Sequence, residues 1–238
     1  MKLPFDKSHR RRIFLMRHAE AQYIQPDGTR APDSRVVPLT ARGVEEAGDM
    51  ARLLKDVSFD KVICSGLRRT VETARIVMAD RPLMLETEPA LEEIRGGDPI
   101  ARANLSPVDY AYAMFTASEP GSCFASGELF SDFYARVVPA FDAIARAGDW
   151  TKLLLVAHGG VNRAILSTIV SGGLASFGAF EQDSACVNII DVDRSEDSRH
   201  IVRKILRGVN ISANDPIKNN RMLTTMEGMA QRFAAAAQ

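Results

Sequence analysis

Two histidines 140 residues apart sit in short patches whose residue types suit phosphate chemistry. The first patch is Leu15-Met16-Arg17-His18-Ala19-Glu20; the second is Val156-Ala157-His158-Gly159-Gly160. A neutral imidazole is a nucleophile, and a guanidinium beside it can hold the oxygens of the group it attacks. Gly-Gly after the second histidine lets backbone approach a bound anion closely. Together the patches predict a phosphate pocket with a histidine at its floor.

Each histidine directly follows an apolar run that reads as a buried strand, Arg12 to Met16 and Leu153 to Ala157. In an open α/β sheet, ligands bind outside the carboxyl ends of such strands. The rest of the chain alternates strand runs with helical periodicity, the pattern of an α/β protein. A polar loop with Pro and Gly spans Gln22 to Pro38, followed by a helix whose apolar face carries Val44, Ala47, Ala51 and Leu54. Lys61 to Ser65 reads as a strand, Arg69 to Ala79 as a helix, and Leu83 to Glu86 as a short strand. Leu129, Phe133, Val137, Phe141 and Ile144 recur at helical spacing, which predicts a long helix packed on the core. A helix through Val170, ended by Gly172-Gly173, follows the second histidine. Cys186 to Val192 and His200 to Leu206 read as two late strands joined by a charged turn, Asp193 to Arg199. The predicted fold is a three-layer α/β/α sandwich with a mostly parallel central sheet. One domain is expected over 1–209, with an insertion over 96–126 that covers the carboxyl edge of the sheet. Residues 210–238 form a C-terminal extension, expected to be helical and to pack on the domain or serve self-association as a homo-oligomer.

Thirty basic and thirty acidic side chains cancel in this chain of 238 residues, so no global field favours nucleic acid or an anionic membrane. The dense basic run Arg10-Arg11-Arg12 reads as a solvated lead-in to the first strand. Three cysteines, Cys64, Cys123 and Cys186, form no CxxC pair and are odd in number, which argues against a disulfide framework and for a cytoplasmic location. Cys64 lies in an apolar strand run and is expected in the core. No apolar stretch approaches the roughly 20 residues of a membrane span, and the first residues lack the apolar core of a secretory signal.

The motifs, in order, resemble those of the histidine phosphatase superfamily, the phosphoglycerate-mutase-like or RHG family. Arg17-His18-Ala19-Glu20 is similar to Arg-His-Gly-Glu, with alanine for glycine. Pro38-Leu39-Thr40-Ala41-Arg42-Gly43 with Glu46-Ala47 resembles Leu-Thr-x-x-Gly-x-x-Gln-Ala, and Ser65-Gly66-Leu67-Arg68-Arg69-Thr70 with Thr73-Ala74 resembles Ser-x-Leu-x-Arg-Ala-x-x-Thr-Ala. Leu91-Glu92-Glu93-Ile94 with Gly97 resembles the acid motif, Gly127-Glu128 with Arg136 is a fainter match, and Ala157-His158-Gly159-Gly160 with Arg163-Ala164 closes the series. The resemblance covers roughly residues 12 to 192.

It implies a metal-independent phosphomonoesterase that works through a phosphohistidine on a small phosphorylated metabolite, with no cofactor. His18 would be the nucleophile, and Arg17, Arg69, His158 and Gly159 would bind the phosphoryl group. The motif register selects Arg69 over Arg68 and Glu93 over Glu92. Glu93 would protonate the leaving alcohol, aided by a phosphate dianion whose like charge favours the protonated acid. Arg68 is a candidate for the rim. Where the family has an asparagine contacting phosphate, this chain has Ile24, so either one hydrogen bond to the phosphate is missing or Gln22 or Gln25 replaces it. Ala19 would be strained if its backbone needed positive φ. After the acid motif the run Gly97-Asp98-Pro99-Ile100-Ala101 departs from Gly-x-Trp-Glu-Gly. Tyr110 and Tyr112 in the insertion, with Phe115 and Phe124, are candidates to contact the leaving group or to pack a lid. Two other functions stay open: a phosphoglycerate-type mutase and a non-catalytic phosphate-binding regulator. Only 65 residues separate Glu93 from His158, short for the insertion that closes a mutase over its intermediate, which favours the phosphatase.

Overall fold

The structure is a computed structural model, and the residues it describes are 9–79, 81–82, 84–98, 105–195, 200–219 and 222–235. Parts of several predicted features lie outside them: Leu83 of the short strand, residues 99–104 of the insertion and 196–199 of the late turn.

The strands are β1 (His9–Arg17), β2 (Lys61–Cys64), β3 (Leu85–Thr87), β4 (Lys152–Ala157), β5 (Val187–Arg194) and β6 (Ile201–Ile211). The helices are α1 (Ala41–Leu53), α2 (Arg68–Met78), α3 (Pro107–Tyr112), α4 (Phe130–Arg146), α5 (Gly159–Ile169) and α6 (Thr225–Ala235), with short 3₁₀ turns at Pro89–Leu91 and Gly173–Ala179. The strands form one sheet in the order β3-β2-β4-β1-β5-β6. The first four run parallel, while β5 is antiparallel to β1 and β6 antiparallel to β5. The mostly parallel sheet with helices on both faces is therefore present.

Because side chains alternate across a strand, each central strand feeds two cores. Ile13 and Leu15 of β1 and Leu153 and Leu155 of β4 pack with Phe133, Val137 and Phe141 of α4 and with Val161 and Ile165 of α5. Phe14 and Met16, with Leu154 and Val156, face the other way onto Ala47 and Met50 of α1 and Ala74 and Val77 of α2. Burial on both faces explains why these strands read as continuous apolar runs. Complete burial of Phe133 or Phe141 contributes about 2–3 kcal/mol each.

Several boundaries move. β1 begins at His9 rather than Arg12, and its three arginines are not a solvated lead-in. Arg10 lies opposite Asp193, and Arg12 opposite Asp191, across the β1–β5 ladder. Arg10 Nε donates to Asp193 at 2.8 Å and Arg12 Nε to Asp191 at 2.7 Å. Arg11 Nη1 donates to the Ala147 carbonyl at 2.6 Å. The physical reason is β5, which supplies two fully buried aspartates that need cations. On α1 the buried face is Gly43, Ala47 and Met50, while Val44 is exposed. β6 runs to Ile211, so the sheet continues past the expected domain edge at 209. Cys64 and Cys186 are buried, and burial pushes both thiols up, that of Cys186 to about 12, which leaves them inert. No helix among the described residues is long and apolar enough to cross a membrane.

Candidate active site

β1 and β4 are neighbours with Arg17 in register with Ala157, so their carboxyl ends deliver the two histidine patches side by side. The His18 N–H donates to the Ala157 carbonyl at 3.0 Å, tying the two tips together. His18 lies at a cavity of about 330 Å³ whose wall also includes Arg17, Arg69, Glu93 and Gly159.

His18 is held in one tautomer. Its Nδ1 lies 2.7 Å from the carbonyl oxygen of Ala19, which can only accept, so Nδ1 carries the proton. Arg69 Nε donates to His18 Nε2 at 3.2 Å, as it can only to an unprotonated nitrogen. Burial, then the charges of Arg69 and Arg17, push the His18 pKa well below its ordinary value, outweighing the Ala19 carbonyl. The result is a neutral imidazole with its Nε2 lone pair beside two cations. Ala19 does not have positive φ and is completely buried, so alanine fits without backbone strain.

Arg69 belongs to the first turn of α2, and its Nη1 donates to the Ser34 carbonyl of the 22–38 loop at 2.8 Å. Arg17 Nη1 donates to the Gln182 carbonyl at 2.5 Å and to Thr225 Oγ1 at 3.3 Å. Arg17 Nε is buried without a hydrogen-bond partner. Gly159 opens α5 against this guanidinium; a Cβ there would lie 3.5 Å from Arg17 Nε. The N-terminus of α5 adds positive potential at the same place.

His158 caps α5 from beneath the floor. It is completely buried, does not line the cavity, and its ring centroid is 5.2 Å from that of His18. Its Nε2 lies 2.8 Å from Ser65 Oγ, which in turn meets Thr70 Oγ1 at 3.0 Å, while its Nδ1 has no partner. Burial, followed by the charges of Arg69, His18 and Arg17, pushes its pKa well below the ordinary value as well.

Glu93 lines the cavity, and its carboxylate is pinned at both oxygens: Oε1 accepts from Ile94 N at 3.0 Å and Oε2 from Gly160 N at 3.1 Å. The loop that carries it is clamped by Arg136, which donates to the carbonyls of Ala90 and Glu92 at 2.8 Å and of Glu93 at 3.2 Å. Glu128 holds Arg136 in turn, Nε to Oε1 at 2.8 Å, which gives the faint Gly127-Glu128 and Arg136 match a physical role. Glu92 instead pairs with Arg35 at 2.6 Å.

Four rim expectations are corrected. Arg68 lies outside the cavity because Glu72, one helical turn on, takes its Nε at 2.7 Å. Gln22 turns back to donate to the Ile24 carbonyl, and neither it nor Gln25 reaches the cavity. The 22–38 loop folds on itself there through an isolated bridge between Ile24 and Arg30. Tyr112 is 55% exposed and meets Phe115, whereas Tyr110 does line the cavity. Sequence reasoning missed Tyr23, whose ring centroid is 6.5 Å from that of His18 and which lies under Arg69; a single aromatic in a polar loop carries no signal. It also missed Ser65 as partner of His158, although the motif contains it, and the contributions of Gln182 and the C-terminal helix. Among the described residues no three His, Cys, Asp or Glu side chains gather as a metal site.

A mixed α/β sheet with a neutral histidine beside two arginines at its carboxyl edge defines a phosphoryl-handling enzyme. The chain belongs to the histidine phosphatase superfamily (branch 1), whose family model matches residues 13–203. It is a phosphatase, and it is similar to the adenosylcobalamin/α-ribazole phosphatase of Escherichia coli strain K12, 32% identical over 186 residues that make up 77% of this chain and 91% of that protein. Among solved structures, the α-ribazole phosphatase of Shigella flexneri superposes with a TM-score of 0.65 at 29% identity, over 84% of this chain and 96% of that one. A mycobacterial glucosyl-3-phosphoglycerate phosphatase shares the fold, with a TM-score of 0.69 at 22% identity over 86% of this chain and all of that one.

Proposed function

We propose that the protein is a metal-independent phosphomonoesterase that hydrolyses a small phosphorylated metabolite through phosphohistidine. The observation that carries this reading is the His18 tautomer: Nδ1–H on the Ala19 carbonyl, Nε2 unprotonated and bonded by Arg69, with Arg17 lining the same cavity. When a phosphoryl group enters, its oxygens take the guanidinium of Arg69 from Nε2 and the unpartnered Nε–H of Arg17. The Nε2 lone pair forms the N–P bond as the ester P–O bond breaks, and the leaving oxygen takes a proton from Glu93. The Glu93 carboxylate then takes a proton from water, whose oxygen attacks phosphorus. The P–N bond breaks, its electron pair returns to Nε2, and phosphate leaves.

His158 supports the floor in this scheme. Thr70 Oγ1 donates to the Leu67 carbonyl and so takes the Ser65 proton, which leaves Ser65 Oγ to accept from His158 Nε2 at 2.8 Å and fixes the ring beneath the floor, its centroid 5.2 Å from that of His18. Arg17 and Arg69 supply the charge stabilisation that phosphoryl transfer requires, so a divalent cation has no assigned role.

Relatives named α-ribazole phosphatase make α-ribazole phosphate a natural first substrate to try. The decisive experiment is rapid-quench trapping of acid-labile, base-stable phosphate on the protein during turnover of an aryl phosphate, with His18→Ala in parallel. Label on the wild type alone, released quickly by water, is the expected result. Label that persists and passes to a phosphoglycerate would make the protein a mutase, and phosphate binding without label or turnover would make it a regulator.

A further inference from the structure

The far wall of the cavity is built by residues that no family motif includes. The family match ends at residue 203, and α6 begins at Thr225, yet Thr225, Met226, Met229 and Phe233 of that helix all line the same cavity as His18 and Glu93. The helix is firmly seated. Its first residue is bonded to the catalytic floor: Thr225 N donates to Glu181 Oε1 at 3.0 Å, and Thr225 Oγ1 accepts from Arg17. Farther along, Arg232 pairs with Glu20 at 2.9 Å, and Met226 and Ala230 are buried. α6 packs on α3 of the insertion, where the Tyr110 and Phe233 rings meet edge to face at 5.3 Å. The guanidinium of Arg30, from the 22–38 loop, lies 3.9 Å from the centre of the Phe233 ring. Three segments far apart in sequence therefore converge on one aromatic side chain.

The chemistry of that wall differs from the floor. Met229, Phe233, Tyr110, Met114 and Phe124, two thioethers and three rings, line the same cavity as the arginines and histidine. Methionine adapts to flat apolar groups and makes favourable sulfur–aromatic contacts, and rings offer faces and edges to another ring. A ligand anchored by phosphate at the floor would extend its alcohol part toward this surface. We propose that the C-terminal helix is a specificity element of the active site, with Met229 and Phe233 selecting phosphate monoesters whose alcohol carries an apolar ring a few atoms from the phosphate. The proposal rests on the phosphate-binding floor described above.

The test uses calorimetric binding of two phosphonates, which resist hydrolysis and differ only in the ring: 2-phenylethylphosphonate and ethylphosphonate. The wild-type protein should bind the ring-bearing ligand at least 10-fold more tightly. Phe233→Ala and Met229→Ala should each remove most of that preference and leave the ethylphosphonate affinity within about twofold. Both side chains are only half-buried, and a thermal melt of each variant checks that the fold is intact. Equal affinity of the wild type for the two ligands, or a preference that survives both substitutions, would overturn the assignment of the wall. Failure of both phosphonates to bind would overturn the floor instead, and the specificity assignment with it.

Discussion

Gly160→Ala is the sharpest single perturbation of the proposed chemistry. Gly160 sits in the first turn of α5 with helical backbone, so alanine meets no φ penalty and gains up to about 1 kcal/mol of helix propensity. Its added Cβ, however, would lie 2.4 Å from Glu93 Oε1 and 3.4 Å from the edge of Phe133. Phe133 is completely buried in the core and cannot yield, so the carboxylate must retreat by about 1 Å to reach ordinary contact. That movement breaks the 3.1 Å bond from Gly160 N, a charge-assisted interaction of about 1.5–3 kcal/mol. A misplacement of that size costs about 10²-fold in rate, at the low end of the 10²–10⁴-fold that general acid catalysis supplies. The signature is its dependence on the leaving group. An alkyl phosphate needs its oxygen protonated as it departs, whereas a nitrophenyl phosphate does not. The kcat/KM for the alkyl ester should fall about 100-fold and that for the nitrophenyl ester less than about fivefold, while the net loss of about 1–2 kcal/mol lowers the melting temperature by only a few degrees. An equal fall for both esters would place the damage in the phosphate floor, and no fall for either would refute Glu93 as the acid.

Three further outcomes test other parts of the structure. Ser65→Ala removes the partner of His158 Nε2 at the cost of a buried hydrogen bond, about 1–2 kcal/mol of stability, and should lower kcat roughly 10-fold; nitrogen NMR should show the His158 tautomer mixture shifting, and an unchanged tautomer would remove Ser65 as its determinant. His18 and His158 both have folded pKa values well below their unfolded value of about 6.5, so the unfolded chain takes up protons first as pH falls. Stability is therefore full above about pH 6.5 and is lost below it, by about 2 kcal/mol for the pair between pH 6.5 and 5.5, as urea melts would record; stability flat across that window would contradict their burial as neutral groups. Asp191→Asn strips the charge from a fully buried side chain that binds Arg12 and Arg207 at 2.7 Å, and with these arginines partly in solvent it should cost about 2 kcal/mol by chemical denaturation.

The sequence by itself determined the central strands of the sheet and the place where the two histidine patches stand. Runs such as Ile13 to Met16 and Leu153 to Ala157 are apolar on both faces, as a covered strand requires, and the Arg17-His18 and His158-Gly159 patches follow them directly. The spacing of Phe133, Val137 and Phe141 likewise leaves one helical face for the core. Tertiary structure alone decided the rest, because it depends on contacts between segments remote in the chain. Arg10 and Arg12 look solvated until β5 brings buried aspartates opposite them, and Arg11 until the Ala147 carbonyl takes it. Arg68 and Gln22 look available until Glu72 and the Ile24 carbonyl take them. Met229 and Phe233 lie more than 200 residues from His18, in a helix that reads from sequence as a tail. Local periodicity reports which face of an element is apolar, but not which distant element covers it. The floor sits at strand ends and is written locally; the wall is assembled from the 22–38 loop, the insertion and a terminal helix, and exists only once they meet.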